Sequence, residues 1–319
     1  MTKKVIFVGG TSYSGSTFFH LTVANDPKGF AVGEVKNLFR PTKERHTLPT
    51  WACGCGDPDC TLWSRVKKNG EARLYETIFE LHPEVDFIVD ASKNVVWIDD
   101  QISYLARQGI EVKNVVIWKT LMEYAHSLRK RNRLGAKGGA ELANWPQYHR
   151  NFYSFVDTFR AVKYADYAHD QAAVMQAACD YFGIPYFEGK ERYWEKTHHS
   201  LGGNLSARIH LYSKESDGYQ DVQRRAIGHR NDHVTDEKKY RQVYYENPDE
   251  SSLETHIARL RQENPYLDSV EEMLAAHDVA NAAPPARDWP ELRLSAMDMR
   301  MKQLRQFTRT RISKLKFAQ

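Results

Sequence analysis

The stretch GGTSYSGSTFF, from Gly9 to Phe19, has the glycine spacing of a phosphate-binding loop. Four residues separate Gly10 from Gly15, and the hydroxyl residues Ser16 and Thr17 follow directly. In loops of the pattern G-x-x-x-x-G-K-[ST], backbone N–H groups surround phosphate oxygens and the lysine adds a positive charge. This chain has Ser16 at the lysine position. The alternative is a tight strand–helix connection with a hydroxyl cap. The candidate anion-binding residues are Ser12, Tyr13, Ser14, Gly15, Ser16 and Thr17.

Residues that could supply the missing charge and accept a proton follow other apolar segments. Lys93 lies in VDASKN, at the end of the apolar segment DFIVD, and Glu34 follows GFAVG. A lysine at the carboxyl end of a parallel strand lies in the crevice where open α/β sheets bind ligands. Lys93 could therefore supply the positive charge that the loop lacks, and Glu34 could accept a proton. The alternatives are a Glu34–Lys36 salt bridge and an ordinary surface lysine at position 93.

The elements that must position these residues alternate between strand and helix. Apolar strand-like segments precede segments of helical periodicity and occupy residues 4–8, 29–34, 86–90 and 112–118. Residues 145–167 are rich in aromatic side chains and are expected to be helical, as are residues 172–182. Short apolar strands between amphipathic helices indicate βαβ units. We therefore expect an α/β fold with a central parallel sheet.

A resemblance to a known family begins at the loop. The sequence SYSGSTFFHLTVANDP resembles the 5′-phosphosulfate loop of the sulfotransferases, which typically carries Lys or Arg where this chain has Tyr13. These enzymes take a sulfuryl group from 3′-phosphoadenylyl sulfate (PAPS). The resemblance implies a P-loop NTPase-like three-layer fold, with PAPS as co-substrate and no metal. A sulfuryl group carries less negative charge than a phosphoryl group, which suits a loop without the lysine.

Two later stretches resemble the nucleotide-binding segments of the same family. Lys119 and Ser127, eight positions apart after an apolar segment, resemble the 3′-phosphate site, although the family usually has Arg-Asp-Pro in place of Lys119-Thr120-Leu121. The stretch HHSLGGNLSAR resembles the GGN…R segment that bacterial-type sulfotransferases close over the nucleotide. It implicates Gly203, Asn204 and Arg208 in donor binding.

The resemblance also assigns catalytic roles. VDASKN resembles the D-S-S-K sequence of bacterial relatives, which gives Lys93 the role of neutralising charge on the bridging oxygen. Some branches have a catalytic Glu at the position of Glu34, and the other usual base is a His, for which His20 is the candidate. The implied reaction is in-line transfer of the sulfuryl group to a hydroxyl or amine of an unidentified acceptor.

Three of the four cysteines, Cys53, Cys55 and Cys60, lie in WACGCGDPDCTLW, which resembles a C-x-C-G…C-x-x-W insertion of bacterial family members. Zinc is the alternative to a structural turn, but the spacing C-x-C-x₄-C is not a usual one for zinc ligands and no fourth ligand is evident. The histidine nearest to these three cysteines in the sequence is His46. The fourth cysteine, Cys179, lies in a helical segment, where a lone cysteine is usually a core residue. We expect a structural turn and no metal.

Composition and charge bear on which classes of partner the protein can bind. The chain has 319 residues and a net charge of +4, which is too small to indicate nucleic-acid binding. No apolar segment approaches the roughly 18 residues of a membrane span. Lys3-Lys4-Val-Ile-Phe-Val is too short for a signal sequence, so we expect a cytoplasmic protein.

The sequence divides into a sulfotransferase-like domain at 1–275, a linker at 276–288 and a basic amphipathic helical tail at 289–319. A tail docked on its own domain is the first expectation, a homo-oligomer contact the second and an anionic membrane surface the third. The apolar stripe of the tail comprises Leu294, Met297, Met301, Leu304, Thr308, Ile312 and Leu315.

Two other functions compete with sulfuryl transfer to a small-molecule, carbohydrate or lipid acceptor. A metal-dependent kinase would need a Mg²⁺-binding acid at a strand end, for which Asp90 is the candidate. A degenerate relative would bind the nucleotide without catalysis. The aromatic residues of 145–167, with Trp194, could line a sugar or phenol site, although helical spacing is more typical of core.

Overall fold

The computed structural model describes residues 2–43, 46, 53–57, 59–129, 133, 139–212, 220 and 251–316. Its five strands are β1 (Lys4–Gly9), β2 (Gly29–Gly33), β3 (Phe87–Asp90), β4 (Glu111–Trp118) and β5 (Arg160–Lys163). They form one sheet in the order β2-β3-β1-β4-β5, and every pair is parallel. The predicted α/β fold with a central parallel sheet is confirmed, including the short strand after residue 29.

Fourteen α-helices are described in these ranges. The first seven are α1 (Ser16–Val23), α2 (Lys36–Phe39), α3 (Leu62–Asn69), α4 (Leu74–Leu81), α5 (Val95–Gln108), α6 (Leu121–Arg129) and α7 (Gly139–Leu142). The others are α8 (Asn144–Phe155), α9 (Tyr164–His169), α10 (Gln171–Phe182), α11 (Leu205–Arg208), α12 (Ser251–Glu263), α13 (Leu267–Ala276) and α14 (Ala296–Lys316). The bounds of α5 follow from its sequence, because the Asn94 side chain accepts from the Trp97 amide at the start and Gly109 adopts a left-handed conformation at the end.

The central strand β1 separates two apolar cores. Val5 and Phe7 point into one core, and Ile6 and Val8 point into the other, as the alternation of side chains along a strand requires. Helices cover both faces of the sheet, so its central strand is buried on each side. This is the three-layer arrangement expected from the sequence.

The expectation of continuous helix over 145–167 is wrong at residues 160–163. Helix α8 ends at Phe155, and strand β5 pairs with β4 from Val115–Arg160 to Trp118–Lys163. Tyr164 then begins α9. A four-residue strand enclosed by aromatic helices has too short an alternation to be recognised in the sequence.

The segment predicted as a linker lies along the outer edge of β5. The Ala161 amide donates to the His277 carbonyl at 2.8 Å, and the Val279 amide donates to the Ala161 carbonyl at 2.9 Å. The Arg160 guanidinium donates to the carbonyls of Asn281 and Ala283. The division of the chain at residues 276 and 288 stays a prediction.

Most of the predicted stripe of the tail faces solvent, whereas Leu294 is half-buried against the core. Met297, Met301, Leu304 and Ile312 are all exposed, and Gln303 attaches α14 to α5 by a hydrogen bond to Asp99 at 3.0 Å. A cavity of about 850 Å³ lies between α5 and α14. From Met297 to Ile312 the described apolar side chains of the stripe are exposed, and docking of the tail on its domain stays a prediction; residues 317–319 and the Leu315 side chain lie outside the description. Within the described ranges, no helix combines the length and the apolar character needed to cross a bilayer.

Candidate functional site

The sheet brings the predicted site residues to one edge. The loop 10–15 follows β1, Glu34 follows β2, Lys93 follows β3 and Lys119 follows β4. Because all these strands are parallel, their carboxyl ends lie at the same edge, where ligands bind in open α/β sheets. Residues as far apart in the sequence as Gly10 and Lys119 thus share one crevice.

The loop after β1 is held in a strained, closely packed conformation. Tyr13 has φ 69° and Gly15 has φ 97°, both in the left-handed region that non-glycine residues rarely adopt. A Cβ on Gly15 would lie 2.1 Å from the ring of Tyr164, so only glycine fits there. Such local strain persists where the surrounding structure fixes it and is frequent at ligand sites.

The six loop residues differ in exposure. Ser12 is exposed, and Tyr13 and Gly15 are half-buried. The other three, Ser14, Ser16 and Thr17, are buried. Among the described residues, the hydroxyls of Thr11 and Ser14 have no hydrogen-bond partner.

The GGN segment lies against the first turn of α1. The Asn204 amide donates to Thr17 Oγ1 at 2.9 Å, and a Cβ on Gly203 would lie 2.8 Å from Thr17 Cγ2. Gly203 has φ 101°, so a side chain would also strain the backbone there. Arg208, at the end of α11, donates to the Tyr212 hydroxyl at 2.7 Å. The structure therefore brings Gly203 and Asn204 to the loop and gives Arg208 a contact with Tyr212.

Glu34 and Lys93 form an ion pair. Lys93 Nζ donates to Glu34 Oε1 at 2.8 Å, and the two side chains are 20% and 28% exposed, respectively. Burial acts to raise the pKa of Glu34, but the charge and hydrogen bond of Lys93 outweigh it and the pKa lies below its usual value. Lys36, the alternative partner, is buried and its Nζ contacts Asn37 Oδ1 at 3.3 Å; burial lowers the pKa of Lys36 to about 8.

His20 is buried beside this pair and is neutral at pH 7, because burial lowers its pKa to about 4. Its Nδ1 lies 3.1 Å from the Ser16 carbonyl oxygen, which can only accept. The proton of the neutral ring therefore belongs on Nδ1, and Nε2 accepts from Ser200 Oγ at 3.3 Å. The ring nitrogen that could act as a base is thus engaged by Ser200.

Lys119 and Ser127 lie together, as their spacing predicts. Lys119 Nζ donates to Ser127 Oγ at 3.1 Å and lies 4.5 Å from the centre of the Tyr164 ring. The Lys119 carbonyl accepts from Trp145 Nε1 at 2.8 Å, which fixes the turn after β4. Tyr164 also packs on Gly15, so one aromatic ring separates the loop from the Lys119–Ser127 pair.

Asp90 does not face the loop. Its Oδ2 accepts from the Tyr75 hydroxyl at 2.6 Å and from Trp97 Nε1 at 3.0 Å, and its Oδ1 accepts from the Ser92 amide at 2.6 Å. Burial raises the pKa of Asp90. This carboxylate anchors the core between α4 and α5, which leaves it unsuited to the metal-binding role of a kinase.

Tyr148 is a site residue that the sequence did not reveal. Its hydroxyl accepts from the Gly10 amide at 2.8 Å and donates to the Lys93 carbonyl at 2.7 Å. Lys93 has φ 62°, and Tyr13 and Lys93 are the two non-glycine residues with positive φ in the described ranges. Tyr148 therefore joins the two strained segments, although one tyrosine in an aromatic helix gives no sequence signal for this role.

The three clustered cysteines meet a histidine that the sequence argument did not consider. The sulfur atoms of Cys53, Cys55 and Cys60 and a ring nitrogen of His199 all lie within 4.8 Å of one another. The prediction of a metal-free turn rested on the unusual cysteine spacing and on the lack of a fourth ligand, and His199 is a residue that could serve as that ligand. His46 hydrogen-bonds the Thr42 amide through Nδ1 at 3.2 Å instead.

The aromatic residues considered for an acceptor site are mostly core. Trp145, Phe152, Tyr164 and Tyr167 are all buried, and Trp194 is half-buried against His210.

Neither a protein-family model nor a curated protein sequence matches the chain. The solved structures that are similar to it include two sulfotransferase domains. One is the sulfotransferase domain from the Synechococcus PCC 7002 olefin synthase, with 16% identity and a TM-score of 0.44 over 69% of this chain and 80% of that domain. The other is the sulfotransferase domain from the curacin biosynthetic pathway, with 15% identity and a TM-score of 0.44 over 83% of this chain and 98% of that domain.

Proposed function

We propose that this protein is a sulfotransferase that moves the sulfuryl group of PAPS to a hydroxyl or amine of a small-molecule, carbohydrate or lipid acceptor. The observation that carries the proposal is the Lys119–Ser127 pair, with Nζ and Oγ 3.1 Å apart, in which Lys119 follows β4, the strand next to β1, and Ser127 lies on α6. It gives the crevice a second place for an anion besides the loop. A nucleotide with phosphate groups on both its 5′ and 3′ positions has the matching two anionic ends.

The charged groups available at the loop favour PAPS over a nucleoside triphosphate as the ligand. The loop has Ser16 where a triphosphate-binding loop has lysine, and Asp90 is fully engaged by Tyr75, Trp97 and Ser92. The hydroxyl of Thr17, the position that binds Mg²⁺ in P-loop enzymes, accepts from Asn204. Donor binding is therefore proposed to need no divalent metal.

The proposed chemistry uses the ion pair at the crevice. The acceptor oxygen attacks sulfur and forms the new O–S bond, while the bond from sulfur to the bridging oxygen of the donor breaks in line. Glu34, held ionised by Lys93, takes the acceptor proton, and Lys93 neutralises the charge that develops on the departing adenosine 3′,5′-bisphosphate. Glu34 is preferred over His20 as base because the Glu34 side chain is 28% exposed, whereas His20 is buried and its Nε2 is engaged by Ser200.

Calorimetric binding of nucleotides tests the proposal. Adenosine 3′,5′-bisphosphate is expected to bind equally with and without EDTA, and more tightly than ATP with Mg²⁺. Lys119→Ala and Ser127→Ala are expected to weaken it by roughly 10- to 150-fold, the range of a lost charge-assisted hydrogen bond. Both should leave adenosine 5′-phosphosulfate, which lacks the 3′-phosphate, almost unaffected.

Exposed Lys68 on α3 provides the control variant Lys68→Ala, which should bind both nucleotides normally. Binding that disappears with EDTA would favour a kinase and end this proposal. Equal losses for the two nucleotides would remove Lys119 from the 3′-phosphate site. Bisphosphate binding with no transfer of label from PAPS to carbohydrate, lipid or phenol panels would identify a non-catalytic nucleotide-binding protein.

A further inference from the structure

Four metal-ligating side chains converge next to the GGN segment. Cys53 Sγ lies 3.3 Å and Cys60 Sγ lies 3.6 Å from Nδ1 of His199, and Cys55 completes a group whose ligand atoms all lie within 4.8 Å. Ligands at zinc distances of about 2.0–2.3 Å from one centre are roughly 3.3–3.8 Å apart at tetrahedral angles. The two measured distances fall in this range. We propose that Cys53, Cys55, Cys60 and His199 bind one structural Zn²⁺ ion.

The chemistry of the donors favours zinc over other ions. Three thiolates and one imidazole form a soft set with no carboxylate, which suits Zn²⁺ and excludes Mg²⁺ and Ca²⁺. Four protein ligands leave no open position for water, so the site is structural and takes no part in the chemistry. All three cysteines are half-buried, and none forms a disulfide.

Backbone contacts bring the cysteine turn and the His199 segment together. The Gly54 amide donates to the Ser200 carbonyl at 2.9 Å, and Cys53 forms an isolated antiparallel bridge with Leu201. A Cβ on Gly54 would lie only 3.0 Å from the His198 carbonyl oxygen. Because glycine has no side chain, the cysteine turn and the His199 segment can approach closely. The His199 ring stacks on Phe30 with the planes 6° apart, which holds its orientation.

Because of the position of this cluster, a bound ion would also affect the crevice. His199 is followed by Ser200, which contacts His20, by Leu201, which binds the backbone of β2 and of Glu34, and by the GGN segment. An ion that ties His199 to a turn 139 to 146 residues earlier in the chain therefore fixes the start of the segment that lies on Thr17. This effect on donor binding rests on the proposed function, whereas the zinc site does not.

Elemental analysis of the full chain, purified without chelators after growth with zinc, tests the site. One zinc per chain is expected, and Cys60→Ser and His199→Gln should lose it. Cys179→Ser and His82→Gln serve as controls, because Cys179 lies in α10 and His82, although its ring centre is 6.0 Å from that of His199, contacts Glu84. Both controls should keep the full zinc content.

Cobalt provides a second measurement that does not depend on a folded variant. The wild-type chain loaded with Co²⁺ should show the intense visible absorption of a tetrahedral thiolate site, and zinc should displace it. Less than a tenth of an equivalent of zinc after reconstitution, or a disulfide among residues 53, 55 and 60 found by alkylation and mass spectrometry, would overturn the proposal. So would equal zinc loss in Cys179→Ser.

Nucleotide binding separates this proposal from the function. Removal of zinc is expected to weaken adenosine 3′,5′-bisphosphate binding by at least 10-fold and to expose residues 199–208 to limited proteolysis. If zinc is bound and the bisphosphate does not bind, the sulfotransferase proposal fails and the metal site stands. If removal of zinc leaves proteolysis at 199–208 unchanged, the ion does not hold the segment.

Discussion

Lys93 Nζ donates to Glu34 Oε1 at 2.8 Å, across the ends of the neighbouring strands β3 and β2. The backbone of each residue is also fixed, since the Glu34 amide donates to Leu201 and the Lys93 carbonyl accepts from Tyr148. An ion pair with both backbones held cannot separate far. The negative charge of a bound donor would weaken the effect of Lys93 on Glu34. The pKa of Glu34 would then rise, and its carboxylate would be a stronger base.

Glu34→Gln and Lys93→Met are therefore expected to lower kcat by roughly 10²- to 10⁴-fold, the usual contribution of a positioned acid or base. The donor Kd should change only a few-fold, because the charges that these residues meet develop mainly in the transition state. The double variant should lose less than the product of the two single losses, since the residues act as a unit. Steady-state kinetics and calorimetry on the same preparations measure both quantities.

The surface ion pair of Arg73 and Glu76, 2.8 Å apart, is the matched control. Its variants Arg73→Met and Glu76→Gln should retain normal kcat and Kd. A Lys93→Met variant with weaker donor binding and unchanged kcat would reassign Lys93 from catalysis to binding.

Gly203→Ala is expected to weaken bisphosphate binding by at least 10-fold. The new Cβ would lie 2.8 Å from Thr17 Cγ2, and the contact would push the GGN segment off the loop. Gly70→Ala is the control because Gly70 also has positive φ, at 88°, but a Cβ there meets nothing within 4 Å. Both variants place an alanine at a positive φ, so a difference in nucleotide affinity between them reports on the contact with Thr17. Equal affinities would show that the segment does not close the donor site.

The free energy of unfolding is expected to fall as the pH is lowered from about 6.5 to about 4. Burial lowers the pKa of His20 to about 4 and those of His149 and His198 to about 3. In this window the unfolded chain binds protons that the folded chain does not, and each such histidine costs about 1.4 kcal/mol of stability per pH unit. Neither ring nitrogen of His149 has a hydrogen-bond partner among the described residues.

Urea unfolding at a series of pH values checks this slope. His149→Phe should reduce it by the contribution of one histidine, while the exposed His169→Gln should leave it unchanged. A slope that is the same in His149→Phe and in the wild type would mean that His149 does not resist protonation in the folded state.

Two truncations of the tail should differ in stability. Removal of residues after Ser295 deletes α14, whose described apolar stripe is exposed, and should leave the melting temperature within about 2 °C of the full chain. Removal of residues after Ala286 also deletes the buried residues Trp289 and Leu292 and the contact of Asp288 with Tyr153. This longer deletion should lower the melting temperature by more than about 5 °C. Calorimetric melting of both proteins decides this, and sedimentation of the shorter deletion reports whether α14 sets the oligomeric state. Equal melting temperatures would contradict the assigned burial.

The sequence predicted the elements whose signals are local. A fully apolar strand followed by glycine and hydroxyl residues identified β1, the loop and α1, and the same logic placed Glu34, Lys93 and Lys119 at strand ends. Contacts between distant segments have no such signal. Glu34 pairs with Lys93, and not with the alternative partner Lys36, because strand order, which the sequence does not encode locally, makes β2 and β3 neighbours. His199 was missed as a cysteine neighbour for the same reason.

The hydrogen bond from Asn204 to Thr17 joins residues 187 positions apart. At translation rates of about 5–20 residues per second, the loop leaves the ribosome roughly 9 to 37 s before the residues that cover it. A nascent or prematurely ended chain therefore carries the loop without its cover. Under the proposed function, such a chain would bind the nucleotide more weakly than the full chain, so ligand capture would report that synthesis has passed residue 204.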